Sequence, residues 1–142
     1  FAEVVQAART RGIDASISSS SAGDLRALAD AARYAGEAAL AERALLGLRR
    51  RFAGSGDASA AAFLIGRTKE GAGELAGADR WYQTYLAEAR GGELAADALA
   101  GRMRVAGPLR GEAAARTLAL EYLNRYPRGV HAGRAKKIAE RE

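Results

Sequence analysis

The sequence predicts an all-α fold, a right-handed solenoid of antiparallel helix pairs with about eight helices in a single domain of 142 residues. Two observations predict it. Alanine, the best helix former, accounts for 36 residues, whereas aromatic residues make up only 6 per cent and β-branched runs are almost absent. The chain also aligns with itself at a spacing of 37 residues without a gap. A spacing of this length is typical of repeated helical units that bury one another's apolar faces.

In this alignment, columns of small side chains and columns of large side chains recur at a fixed distance from each other. One column holds alanine and another, seven residues later, holds a large side chain: Ala41, Ala78 and Ala115, followed by Leu48, Tyr85 and Tyr122. Helix breakers return at the same interval, near residues 54, 91 and 129. We therefore place three full units at residues 21–57, 58–92 and 93–128. Residues 1–20 form a truncated preceding unit, and residues 129–142 form a terminal helix.

The first elements follow from local signals. Phe1 to Arg11 is interpreted as the second helix of the truncated unit, and the serines at 18–21 as helix entry and a solvated loop. Ser21, three residues before Asp24, predicts the start of the next helix, because the arrangement is similar to a capping box. Gly36 predicts its end, and the second helix of this unit follows.

The later units repeat this plan. Gly71-Ala-Gly73 predicts the break within the second unit, and Gly107-Pro108 the break within the third. Pro127 predicts the end of the last full unit. The helical spacing of Tyr82, Tyr85 and Tyr122 predicts that they face neighbouring helices and belong to the core.

Composition also limits the function. Without cysteine the chain has no disulfide, thiolate metal site or cysteine nucleophile, and its uncharged stretches are too short to span a bilayer. The single histidine, His131, has no evident carboxylate partner. Glu70 and Glu74 flank a turn and are interpreted as solvated. We therefore predict no enzyme activity, no cofactor and no metal.

The net charge is +5 and comes mainly from 19 arginines. Nucleic-acid binding requires clustered cations with aromatic groups among them, and the one dense run, Arg49 to Arg51, ends a predicted helix, where positive charge suits the helix dipole. A nucleic-acid-binding array is therefore the least favoured hypothesis.

The repeat resembles the tetratricopeptide repeat (TPR) family in its small, turn, alanine and large positions: Ala29 and Gly66, Gly36 and Gly73, Ala41 and Ala78, Leu45 and Tyr82. It departs from the family in its 37-residue period, in Tyr85 and Tyr122, and in the missing early tryptophan. Segments such as residues 60–67, 78–86 and 121–127 are similar to repeat domains of bacterial cell-envelope proteins and to the repeat tails of some anti-sigma regulators. This resemblance favours a periplasmic or cell-envelope location, with the cytoplasm left open.

The resemblance also implies a concave face lined by the first helix of each unit. The side chains at these positions that we predict to bind a partner are Arg26, Arg33, Phe63, Arg67 and Arg104. Arginines one period apart would grip the carboxylates of an acidic peptide while Phe63 anchors an apolar group. The alternative is that these arginines form a solvated groove without a ligand. Trp81 lies beside a core column and is interpreted either as a half-exposed stacking residue between units or as a further contact for a partner.

Three hypotheses follow. The leading one is a non-enzymatic protein-interaction module or scaffold that binds a peptide or partner protein through this arginine-lined face. The second is a structural or self-assembling component of a larger bacterial envelope complex. The third is the nucleic-acid-binding array.

Overall fold

The computed structural model describes residues 1–141, which form nine α-helices and no strand. In chain order the helices are α1 Ala2–Arg11, α2 Ile13–Ser19, α3 Ala22–Tyr34, α4 Ala38–Arg51, α5 Gly56–Gly71, α6 Leu75–Glu88, α7 Ala95–Arg110, α8 Glu112–Arg125 and α9 Ala132–Ala139. From α3 onwards each helix packs against the next. The first helices of neighbouring units, α3 with α5 and α5 with α7, also have Cα atoms within 8 Å of each other. The predicted all-α, solenoid-like arrangement is confirmed.

The helix boundaries follow from serine caps and from glycines with positive φ. The Ser21 hydroxyl accepts the Asp24 N–H at 3.1 Å and begins α3, as predicted. Ser55 begins α5 in the same way, by accepting the Ala58 N–H. Gly36 and Gly73, with φ of 78° and 79°, lie in the turns that follow α3 and α5. An L side chain is disfavoured in this region of φ, so glycine is the residue that these turns require.

The break predicted at Gly107-Pro108 is wrong, because α7 continues through both residues to Arg110. Proline removes one backbone donor but keeps a φ that a helix tolerates. The chain reverses only at Gly111, where φ reaches 95°. The positive φ of glycine, and not the missing proline N–H, therefore ends α7.

One helix was missing from the predicted set. Residues 13–19, for which no helix was predicted, form α2, and Ser18 and Ser19, interpreted as helix entry and loop, are its last two residues. Ser18 and Ser19 donate to backbone carbonyls one turn earlier, at 2.7 Å each, so the helix satisfies their hydroxyls. Ile17 is buried against Gly47 of α4, where a Cβ would lie 2.3 Å from the isoleucine side chain. This contact fixes α2 against the array.

The core lies between consecutive helices and is built from alanines around a few large side chains. Tyr82 and Tyr122 are fully buried, and Tyr85 is 3 per cent exposed, which confirms their predicted place in the core. The ring of Tyr82 lies between two glycines: a Cβ at Gly66 of α5 or at Gly101 of α7 would come within 2.8 Å or 2.5 Å of it. The absence of side chains at these glycines lets a large ring fill the space between helices.

The 37-residue period is repeated in the loops as well as in the helices. The Tyr85 hydroxyl accepts the backbone N–H of Leu94, the N-cap of α7, and the Tyr122 hydroxyl accepts that of His131, the N-cap of α9. A Cβ at Gly92 or at Gly129 would lie 2.2 Å from the corresponding hydroxyl. The two tyrosines that depart from the TPR pattern thus tie each loop to the preceding helix.

Candidate functional site

A surface cleft with a volume of about 600 Å³ lies between α3, α5 and α7. Three of the predicted partner-binding residues line it: Arg33 of α3, Arg67 of α5 and Arg104 of α7. Thr68 and Glu70 of α5 and the turn at Gly71 complete its wall. The structure therefore brings arginines from three successive units to one cleft.

Only two of these arginines are available for a ligand. Arg67 is exposed, and its nearest carboxylate oxygen, on Asp30, lies 3.9 Å away, beyond hydrogen-bond distance. Arg33 has no carboxylate within 4 Å among residues 1–141, and its guanidinium carbon lies 4.5 Å from the ring centroid of Tyr34. Arg104 is already engaged: its Nε and Nη2 donate to the two carboxylate oxygens of Glu70 at 2.9 and 3.1 Å.

Glu70 joins the cleft to the core. It accepts the Tyr82 hydroxyl at 2.7 Å in addition to the two bonds from Arg104, so the interpretation of this residue as solvated is wrong. Its side chain is 23 per cent exposed, whereas that of Glu74, which bonds Lys69 at the surface, is 60 per cent exposed. Glu70 lies one helical turn after Gly66, so the two residues share a helix face. This spacing was the available sequence signal that Glu70, like Gly66, faces Tyr82 of α6.

The hydrogen bonds fix the charge states in this cluster. Burial by itself raises the pKa of the Glu70 carboxyl, but the bonds from Arg104 and Tyr82 outweigh burial and hold that pKa below its ordinary value. The bond to Glu70 raises the pKa of the Arg104 guanidinium. Burial, together with the adjacent carboxylate, raises the pKa of the Tyr82 phenol. The cluster therefore holds a carboxylate, a guanidinium cation and a neutral phenol at neutral pH, and its geometry is that of a brace between α5, α6 and α7.

A second ion cluster, which the sequence pattern did not reveal, surrounds Asp79 of α6. Asp79 is 2 per cent exposed and accepts from Arg102 Nε at 2.9 Å, Gln83 at 2.7 Å and Arg110 Nη1 at 3.2 Å. Burial raises the pKa of Asp79, but the bonds from Arg102, Gln83 and Arg110 outweigh it and leave that pKa below its ordinary value. The only sequence signal was the position of Asp79 directly after the buried alanine column. Its arginine partners lie on α7, 23 and 31 residues away.

The remaining predicted residues do not join the cleft. The Arg26 Nη1 atom lies 3.8 Å from Asp57 Oδ1. Arg26 lines a second depression, beside the loop at Gly54, and not the cleft between α3, α5 and α7. Trp81 is half-buried and packs against Arg49, whose guanidinium carbon is 5.2 Å from a Trp81 ring centroid. Arg49 in turn bonds both carboxylate oxygens of Glu88. These contacts give Trp81 a packing role within α4 and α6.

Phe63 is also not an accessible anchor. It is 6 per cent exposed, and its ring packs against Tyr82 and Tyr85 at centroid distances of 5.6 and 6.1 Å. The exposed aromatic surface beside the cleft is instead Tyr34, which is 61 per cent exposed and stacks on Phe1 with centroids 4.6 Å apart. No sequence signal pointed to this stack, because it pairs residues of α3 and of the segment before α1.

His131 has a carboxylate partner, contrary to the prediction. Its Nε2 lies 2.9 Å from Oδ1 of Asp97, and its ring meets Tyr122 edge-on at a centroid distance of 5.9 Å. Asp97 and His131 lie at the starts of two successive first helices, α7 and α9. The pair therefore links neighbouring units.

No group of three or more His, Asp or Glu side chains within residues 1–141 is arranged to hold a metal ion. None of the nine helices in this part of the chain is long and apolar enough to cross a membrane. Models of known protein families give no match to the chain, and a search of curated proteins also gives none.

Proposed function

We propose that the chain is a non-enzymatic interaction module, a TPR-like repeat domain that binds an acidic segment of a partner protein in the cleft between α3, α5 and α7. The observation that carries this proposal is the presence of Arg33 and Arg67 on one cleft without a carboxylate at hydrogen-bond distance in residues 1–141. By its resemblance to envelope repeat domains, such a module would act at the bacterial cell envelope.

The available hydrogen-bond donors favour a carboxylate ligand. Each guanidinium presents a planar fork of N–H groups that matches a carboxylate, and a charge-assisted pair of this kind is about twice as strong as a neutral hydrogen bond. Arg104 is held by Glu70, so its role is to shape the cleft wall. The ligand therefore needs acidic groups for two arginines, not for a row of three.

The surroundings of Arg33 favour a ligand with an apolar side chain next to its acidic group. The guanidinium lies over the Tyr34 ring, and that ring is exposed beside the cleft. A carboxylate could bond the edge of the guanidinium while a neighbouring aromatic or aliphatic side chain packs against the exposed stack of Phe1 and Tyr34. A segment that alternates glutamate with phenylalanine or leucine has this chemistry.

The proposal is tested with a fluorescein-labelled peptide of alternating Glu and Phe residues, and binding is measured by fluorescence anisotropy. The double variant Arg33→Glu with Arg67→Glu is expected to lose binding by at least about a hundredfold, since two charge-assisted contacts are each worth about 1.5–3 kcal/mol. A peptide with Gln in place of Glu is expected to lose affinity for the unchanged protein to a similar extent.

The matched control is Arg80→Glu with Arg90→Glu. Both arginines are exposed and outside the cleft, so this variant carries the same net charge as the first. If both double variants lose affinity equally, general electrostatic attraction explains the binding and the cleft proposal fails. Unchanged affinity in the Arg33 and Arg67 variant refutes it directly.

A further inference from the structure

The last helix of the described chain has one buried stripe and one cationic face. α9 buries Ala132, Ala135 and Ile138. The exposed cations of this region, which we call the α9 basic face, are Arg128, Arg134, Lys136, Lys137 and Arg141. Glu140 is the only acidic residue between positions 128 and 141. Residues 128–142 thus hold five cations against two acidic residues, Glu140 and Glu142, which is a net charge of +3 in a chain whose total is +5.

These cations have no carboxylate at ion-pair distance in the part of the chain that the structure describes, although the charge of Arg134 acts on Glu70 and contributes to the lowered pKa of that carboxyl. By contrast, Arg49, Arg102 and Arg104 are each fixed by a carboxylate of another helix. A cluster of unneutralised cations creates a positive potential that attracts an anionic surface.

An exposed apolar side chain lies in the loop between Arg128 and the first residue of α9. Val130 is 90 per cent exposed, in the loop two residues before α9. The aromatic rings nearest in sequence, Tyr126 and His131, are half-buried and pack against Tyr122, so neither is a fully exposed stacking platform. Binding of single-stranded nucleic acid depends on such stacking faces. An apolar side chain among cations, without stacking rings, instead fits the interface of an anionic bilayer.

We propose that the α9 basic face, with Val130, binds the surface of a membrane that contains anionic phospholipids. The lysine and arginine side chains contact the lipid headgroups, and Val130 enters the boundary between headgroups and acyl chains. This contact is peripheral and involves no membrane-spanning segment. It uses none of the residues that line the proposed peptide cleft, although the charge of Arg134 acts on Glu70 in the wall of that cleft.

The test is co-sedimentation of the full chain with vesicles, made either of phosphatidylcholine alone or of an equimolar mixture of phosphatidylcholine and phosphatidylglycerol. Binding is expected to the mixed vesicles only. It should weaken when the salt is raised to about 0.5 M, where the Debye length falls to about 4 Å.

The decisive variant is Lys136→Gln with Lys137→Gln. Each cation near an anionic membrane surface contributes an amount that corresponds to about a fivefold change in binding, so the double variant should bind the mixed vesicles about thirtyfold more weakly. The matched control, Arg80→Gln with Arg90→Gln, removes the same charge from exposed sites elsewhere and should bind at least about ten times more tightly than the lysine variant. Val130→Ser should weaken binding severalfold without changing its salt dependence.

Three results would overturn the proposal. The first is equal binding to both kinds of vesicle, and the second is an equal loss in the lysine and arginine variants. The third is displacement of the chain from mixed vesicles by a short DNA duplex at equal phosphate concentration, which would identify the face as a nucleic-acid site. Thermal unfolding followed by circular dichroism checks that the variants remain folded.

Discussion

Replacing Gly66 with alanine tests how tightly the Tyr82 ring is held between α5 and α7. In an open part of a helix this change stabilises a protein by about 0.5–1 kcal/mol, because glycine loses more backbone freedom on folding. At Gly66 the new Cβ would lie 2.8 Å from two atoms of the Tyr82 ring, closer than carbon atoms pack. The reduced backbone freedom of the unfolded chain therefore raises the free energy of unfolding, whereas the clash with the Tyr82 ring lowers it.

The surroundings of the ring decide which effect is larger. The ring has little room to move towards α7, because its other edge already packs so closely on Gly101 that a Cβ added there would lie 2.5 Å away. Its hydroxyl is also held by Glu70. Overpacking in a core costs about 1–3 kcal/mol, and a ring that is blocked on both sides belongs at the upper end of this range. Subtracting the backbone gain leaves a net loss of about 2 kcal/mol for Gly66→Ala.

The measurement is urea unfolding followed by circular dichroism, with Gly71→Ala as the control. Gly71 ends the same helix and is exposed, and a Cβ added there would meet no atom within 4 Å, so this change should stabilise the protein by about 0.5 kcal/mol. In a Tyr82→Leu background the harm from Gly66→Ala should largely disappear, because the ring is gone. An unchanged or raised stability of the single Gly66→Ala variant would refute the argument.

Two further predictions concern polar contacts of the core. The pKa values of Glu70 and Asp79 are lowered on folding from ordinary values of 4.5 and 3.8, so the stability they provide is present above those values and is lost as pH falls through the lower folded-state pKa values. The free energy of unfolding should therefore fall between about pH 5 and pH 2, measured by urea unfolding, and Asp79→Asn should reduce the size of this fall; an equal fall in the variant contradicts the assignment. Tyr85→Phe should cost about 1 kcal/mol, because it removes the acceptor of the Leu94 N–H. Faster amide hydrogen exchange at Leu94 alone would report that loss, and unchanged exchange there would contradict the role of the hydroxyl.

The fold was largely predictable because its determinants are local or periodic. Ser21, Gly36 and Gly73 act on the few residues around them, and the 37-residue spacing assigns equivalent positions to each unit. The two errors arose where local signals conflict. Pro108 predicted that α7 would end there, but the helix ends at Gly111. The serines of α2 argued against a helix, and its apolar signal is only the four-residue spacing of Ile13 and Ile17.

The candidate site was less predictable because it depends on contacts between units. The period correctly placed Arg67 and Arg104 at equivalent positions, but it could not show that Glu70 binds Arg104 and leaves Arg67 to the solvent. Nor could it show that Phe63 turns inwards onto Tyr82. Each of these facts depends on the rotation of one helix against another, which a pattern along a single chain does not specify.

The tyrosine-anchored loops make the array extensible. The junctions that follow α6 and α8 use the same atoms: a tyrosine hydroxyl, a glycine that admits it, and the N–H of the next N-cap. Residues 93–129 therefore start just after one such glycine and end at the next. A second copy of this segment, inserted in tandem, would meet its neighbours through junctions that the protein already contains. The junction before α5 is built differently, since Leu48 has no hydroxyl and Ser55 caps the helix. Lengthening the protein by whole units, whether by gene duplication or by design, is thus favoured at its carboxyl-terminal junctions.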